Sequence, residues 1–133
     1  MNDTFVLDPG TIRDLAPEAL DSSGRLRVLP AAFWAQTTRD ERALFGHRHG
    51  LYGFPTVELV EHLRELIGGR AAIEIGSGHG VLADALGIPA TDSRQQEREP
   101  YRSAILAAGQ PTVPYGPNVI DCHAMKPLFK IWF

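Results

Sequence analysis

The stretch that most constrains this chain is AIEIGSGHG at residues 72–80, a glycine-rich turn directly behind a short apolar run. Glycines at 76, 78 and 80 allow backbone conformations that other residues adopt only at a cost. The apolar run before them is typical of a strand in a parallel sheet, and VLADAL after them is typical of a short helix. This order of strand, turn and helix predicts a ligand-binding loop of an α/β protein.

The segments on either side of the loop extend this pattern. VELVEHLRELI has helical periodicity, with Pro55 or Thr56 to open the helix and Gly68 to end it. RAAIEI is predicted to be a central strand that is covered on both faces. IPATDS predicts a second strand with Asp92 at its carboxyl end, and QQEREPYRSAILAAGQ predicts a helix interrupted at Pro100.

Two further strands are expected towards the end of the chain, one after PTVPYGPNVI and one at LFKIWF. The fold class that follows is α/β, a parallel sheet with helices on both faces. Residues 1–54 are predicted to form an N-terminal helical extension, and residues 55–133 the ligand-binding part.

Within the extension, RLRVLP follows a Ser22-Ser23-Gly24 turn and is expected to be strand-like. Residues 31–46 suit a helix or two helical turns. HRHG at residues 47–50 is predicted to be a polar loop near the mouth of the site.

Composition excludes several classes of function. The formal net charge of -3 argues against a nucleic-acid or anionic-membrane partner. The single cysteine, Cys122, cannot form an internal disulfide, which favours a cytoplasmic location. The chain has no basic leader and no run of roughly eighteen apolar residues, so we expect neither export nor a membrane span.

Two ligand classes use a glycine turn of this kind: dinucleotides and S-adenosylmethionine. The dinucleotide fingerprint G-x-G-x-x-G requires a glycine where this chain has Val81. Glu74, two residues before Gly76, would repel a pyrophosphate but suits the sulfonium and ammonium groups of S-adenosylmethionine. Asp92 at the end of the next strand can accept bonds from ribose hydroxyls, which both ligands carry.

Residues 74–80, EIGSGHG, closely resemble motif I of the class I S-adenosylmethionine-dependent methyltransferases, and IPATDS matches the second acidic strand end of that family. More loosely, residues 45–125 resemble a group of uncharacterised bacterial methyltransferase-like proteins. The resemblance implies that the glycines let the backbone approach the cofactor, that Glu74 serves its amino-acid end and that Asp92 binds ribose. The positions implied to contact S-adenosylmethionine are Glu74, Gly76, Ser77, Gly78, Gly80, Asp92, Ser93 and Asp121.

Other candidate residues have more ordinary interpretations. His79 is expected to point to solvent, although a general-base role stays open. Tyr52 and Phe54 either cover the cofactor or pack their loop onto the core, and packing is favoured. The histidines form no complete set of metal ligands, so no metal site is predicted.

The resemblance also implies a Rossmann-like sheet of seven strands, of which residues 55–133 form a partial, cofactor-binding half-domain because the chain ends at or inside the fourth strand. The acceptor half is expected to be absent, and no catalytic residue is assigned. Three explanations stay open: a truncated or frameshifted gene, a fragment of a longer protein, and a small protein that another chain completes. Residues 127–133 would then form an apolar edge that pairs with a second copy or a partner chain. Two functions stay open: a small methyltransferase whose acceptor is unknown, and a non-catalytic nucleoside-binding or interaction module.

Overall fold

A computed structural model describes residues 10–110 and 113–122 of the chain. These residues form a mixed α/β fold in which a parallel sheet follows a largely helical N-terminal part. The helices are α1 (Ala16–Ala19), α2 (Ala31–Ala35), α3 (Arg39–His49), α4 (Val57–Ile67), α5 (Val81–Leu86) and α6 (Tyr101–Ala107). The strands are β1 (Glu74–Ile75), β2 (Ala90–Asp92) and β3 (Val119–Asp121), and a 3-10 turn at Gln95–Glu97 joins β2 to α6. The alternation of strands and helices predicted after residue 70 is thus confirmed as far as β3.

The three strands lie in the order β1, β2, β3 and are all parallel. β2 is the central strand, and its Asp92 stands beside Asp121 at the carboxyl ends of β2 and β3. The prediction that RAAIEI is a central strand was wrong for the sheet that the described residues form. Only Glu74 and Ile75 are paired, at an edge, because an apolar run specifies burial without specifying which neighbours supply it.

The two faces of the sheet are covered unequally. On one face Ala83 of α5 packs against Ala90 and Val119. On the other face Ile75 and Ile120 are 51% and 45% exposed, and Thr91 between them is buried. The sequence predicted helices on both faces of the sheet. Among the residues that the structure describes, the second face is only partly covered.

The segment 31–46, predicted to be helical, contains α2 and most of α3, and α3 continues to His49 and includes most of HRHG. At its start the Thr38 side chain accepts from the amide of Glu41, whose carboxylate accepts from the Thr38 amide, a complete capping box. At its end Gly50 adopts a left-handed conformation with φ of 64°. The prediction of a loop over residues 47–50 was wrong because this glycine ends the helix only after His49.

The remaining boundaries follow local signals. Thr56 caps α4 through the amide of Leu59, and Gly68 ends that helix. RLRVLP makes isolated bridges, Leu20 with Leu26 and Leu29 with Thr56, in place of a strand. LFKIWF and the apolar edge predicted at residues 127–133 lie outside the described residues.

Aromatic and aliphatic side chains of the N-terminal part form the larger core cluster. Its buried members are Leu15, Ala19, Leu26, Trp34 and Phe45. Phe54 stacks on Trp34 with ring centroids 4.5 Å apart, and Val81, the first residue of α5, packs against the same cluster. The N-terminal part therefore meets the glycine-rich turn and forms one wall of the space in front of it.

Candidate functional site

The glycine-rich turn is built from alternating left-handed residues. Gly76, Gly78 and Gly80 have φ values of 67°, 57° and 77°. Between them, the amide of Ser77 donates to the carbonyl of Thr91 at 3.0 Å, and the amide of Gly80 donates to the carbonyl of Ser77. The turn is therefore hydrogen-bonded to β2, and the left-handed backbone at positions 76, 78 and 80 favours glycine, which has no Cβ.

The three glycines differ in what lies beside them. A Cβ on Gly76 or Gly78 would meet no atom within 4 Å, whereas a Cβ on Gly80 would lie 2.3 Å from a methyl carbon of Val119. Gly80 is thus required for packing of the turn against β3. Gly76 and Gly78 border open space, which lets a ligand approach the backbone there.

Glu74 lies on β1, just before the turn, with its carboxylate directed at the first turn of α5. Its Oε2 accepts from the amide of Ala83 at 2.9 Å. Burial raises the pKa of Glu74, and the bond from Ala83 partly opposes that shift. Glu74 thus supports the start of α5 as well as lining the space in front of the turn.

Asp92 joins the turn to the end of β2. Its Oδ2 accepts from the amide of Gly78 at 2.9 Å, and its Oδ1 accepts from the amide of Arg94 at 2.7 Å. Each carboxylate oxygen has a second lone pair available for another donor. Asp92 therefore orders two segments of backbone and keeps the capacity to accept bonds from a ligand.

These groups surround a cavity of about 390 Å³, called here the first cleft. Its lining residues are Leu26, Gly50, Leu51, Tyr52, Gly53, Phe54, Pro55, Leu59, Glu74, Gly76, Ser77, Gly78, His79, Gly80, Val81, Leu82 and Asp92. Six of the eight positions implied to contact the cofactor thus line one space. Its walls are mostly apolar, with a few polar groups at one end, as in many small-molecule sites.

The first cleft is lined by acidic side chains and lacks strongly basic ones. Among the described residues that line it, Glu74 and Asp92 are acidic, and none is a lysine or an arginine. Carboxylates in a partly buried cleft attract a cation and repel phosphate groups.

Ser93 and Asp121, the other two implied positions, lie outside this lining. The carbonyl of Ser93 accepts from Arg98 Nε at 2.9 Å. Asp121 forms an ion pair with the same arginine, through Nη2. The structure thus brings both to Arg98, beside the carboxyl ends of β2 and β3.

His79 is buried, with only 5% of its surface exposed, so the expectation that it points to solvent was wrong. Its ring lies against that of Tyr115, with centroids 4.8 Å apart. Burial lowers the pKa of His79, and the side chain of Gln96 and the charge of Asp92 partly oppose that shift. The segment before β3 lies against the turn, where the Gly116 amide donates to the His79 carbonyl at 2.9 Å.

Tyr52 and Phe54 both line the first cleft but differ in their surroundings. Phe54 packs into the aromatic core, as the favoured interpretation predicted, while Tyr52 is 97% exposed at the mouth. Sequence reasoning missed Leu26 and Leu82, since each is an ordinary apolar residue whose place on the wall depends on tertiary packing.

Within residues 10–110 and 113–122, no group of three or more histidine, cysteine or acidic side chains is placed to hold a metal ion. No helix in that part of the chain has the length and apolar character needed to cross a bilayer. Comparison of the chain with protein-family models, curated proteins and solved structures finds no match. The case for a ligand therefore depends on the geometry and charge of the first cleft.

Proposed function

We propose that the first cleft binds S-adenosylmethionine and that the protein is a methyltransferase-like protein with a Rossmann-like cofactor half. The observation that carries the proposal is the charge of the cleft, whose described lining has two carboxylates and neither lysine nor arginine. A sulfonium and an ammonium group suit this environment, whereas the pyrophosphate of a dinucleotide would be repelled.

The residues present fit this cofactor. The open space beside Gly76 and Gly78 admits a ligand close to the backbone, and Asp92 can accept ribose hydroxyls on its remaining lone pairs. Glu74 lies where a negative charge would face the amino-acid end of the ligand. When bound, the sulfonium supplies an electrophilic methyl group. The methyl acceptor is left unassigned.

Titration calorimetry of the full chain with S-adenosylmethionine, S-adenosylhomocysteine and NAD tests the proposal. We expect both adenosyl ligands to bind and NAD to bind at least about tenfold more weakly, because its phosphates meet two carboxylates. Binding of NAD alone would contradict the charge argument.

A variant that removes only the negative charge of Glu74 tests the contribution of that charge to binding. Glu74→Gln keeps an oxygen acceptor for the Ala83 amide but removes the negative charge. It should weaken S-adenosylmethionine and S-adenosylhomocysteine alike, by roughly tenfold, since both carry the ammonium group at the amino-acid end that Glu74 would face. Glu61→Gln on the exposed surface of α4 removes the same charge outside the cleft and should leave both affinities unchanged.

A second candidate is a nucleoside-binding or interaction module without catalysis. It is favoured by the bonds that both carboxylates already make to backbone amides, which support the turn whether or not a ligand is present. Absence of binding by all three ligands would favour an interaction module over the cofactor proposal.

A further inference from the structure

A second cavity of about 320 Å³, called here the second cleft, lies next to the first. Gly50 and Tyr52 line both, so the two clefts share a wall at the end of α3. The remaining walls come from residues 47–48, from the 3-10 turn after β2 and from α6 with Gln110. This cavity lies apart from the glycine-rich turn.

The chemistry of the second cleft is the reverse of that of the first. Arg48 is the only permanently charged side chain among its described lining residues, and no carboxylate lines it. Arg48 is partly buried and forms no ion pair with a carboxylate of the described residues. An arginine that lines a cleft and has no acidic partner among the described residues can hold an anion, and its planar fork matches a carboxylate.

Arg48 also lies in the last turn of α3, where a cation is favourable beside the helix carbonyls. That role predicts a loss of stability when Arg48 is replaced. It does not predict a change in ligand selectivity, so the two roles can be separated by experiment.

The rest of the second cleft suits a flat ligand. Tyr52 and Tyr101 offer exposed rings, and Ala104 and Ile105 add apolar surface. Polar contacts come from three glutamine amides and from His47, whose Nε2 lies 3.4 Å from Nε2 of Gln110. Aromatic surface with a few hydrogen-bonding groups at its border selects planar ligands with polar edges.

Close contacts join the two sides of the second cleft. Gln96 Nε2 donates to the carbonyl of Gly50 at 3.1 Å. A Cβ on Gly50 would lie 2.5 Å from the same nitrogen, so the left-handed glycine and the amide fit closely together. The end of α3 therefore packs directly against the 3-10 turn, and the cavity lies beside this contact.

We propose that the second cleft is a binding site for a small planar aromatic ligand that carries a carboxylate, held by Arg48 and packed between Tyr52 and Tyr101. This inference goes beyond the proposed function, since it concerns a different cavity and the opposite ligand charge. A ligand there would adjoin one in the first cleft across Gly50 and Tyr52.

The test titrates the full chain with benzoate and benzamide, two planar aromatic probes without the cationic groups proposed for the first cleft. Benzoate should bind about tenfold more tightly than benzamide. Amide resonances of residues 48 and 95–96, which line the second cleft and not the first, should shift with benzoate in heteronuclear NMR spectra. Equal binding of the two probes, or shifts confined to other residues, would overturn the proposal.

Variants of Arg48 test whether its positive charge binds the carboxylate of the probe. Arg48→Gln should weaken benzoate by about tenfold and leave benzamide within about twofold, and Arg48→Lys should keep part of the benzoate affinity. Arg102→Gln on α6 removes an exposed arginine outside this lining and should change neither probe. If Arg48→Gln weakens benzoate and benzamide equally, or if Arg102→Gln weakens benzoate as much as Arg48→Gln does, Arg48 does not bind the carboxylate and only stabilises the end of α3.

Discussion

At the scale of single residues, Gly80 and Gly76 have similar backbone conformations and different surroundings. Gly80→Ala would place a Cβ 2.3 Å from a methyl carbon of Val119, so either the Val119 side chain or the backbone around it must shift. We expect this change to lower the free energy of unfolding by about 2–4 kcal/mol. Urea denaturation followed by circular dichroism measures it.

Gly76→Ala is the matched control, because it has the same left-handed strain and open space around the new Cβ. It should cost about 1–2 kcal/mol. An equal cost at both positions would show that packing against Val119 does not determine the need for glycine at position 80.

His79 and His49 make stability depend on pH. Burial lowers the pKa of each below the ordinary 6.5, so in the window below 6.5 the unfolded chain takes up protons that the folded chain does not. The free energy of unfolding should therefore fall as pH falls through that window, by up to about 1.4 kcal/mol per pH unit for each proton. Denaturation at a series of pH values measures this slope.

His79→Gln should reduce that slope, and His62→Gln on the exposed surface of α4 should not. A slope unchanged in His79→Gln would contradict the assignment to this histidine.

Glu74 acts in the opposite direction. Burial raises its pKa above 4.5, so between 4.5 and the raised value the free energy of unfolding falls as pH rises.

At the scale of elements, the capping box decides where α3 begins. Thr38→Ala removes the oxygen that accepts from the Glu41 amide at 3.1 Å. We expect the variant to lose about 1 kcal/mol of stability, measured by thermal unfolding, while Thr38→Ser retains nearly all of it. A loss as large in Thr38→Ser would indicate that the methyl group matters more than the hydroxyl.

Helix ends such as this one can be predicted from local sequence. Thr56 and Gly68 bound α4, and Gly87 follows the end of α5, because caps and left-handed glycines act within a few residues of the boundary. Strand positions were harder to predict. β1 is short and lies at the edge of the described sheet, where it pairs only with β2, because strand pairing depends on tertiary contacts that a local apolar pattern does not specify.

At the scale of the whole molecule, the predicted boundary at residue 54 is crossed by several contacts. Leu29 bridges to Thr56, Arg25 pairs with Asp84 at 3.2 Å, and Val81 packs on the N-terminal core cluster. We therefore expect the chain to unfold in one transition and a fragment of residues 55–133 to lack cooperative unfolding. Calorimetry of both measures this, and a fragment with a sharp transition near that of the full chain would contradict it.

The sequence by itself determined the local features: the left-handed turn at residues 76–80, the caps of α4, and the two acidic residues that follow apolar segments. Each depends on a few neighbouring residues and on backbone sterics. Tertiary structure decided the rest. It buried His79 beneath Tyr115, placed Leu26 on the wall of the first cleft and positioned Arg48 in a second cleft, because each of these contacts joins segments distant in sequence.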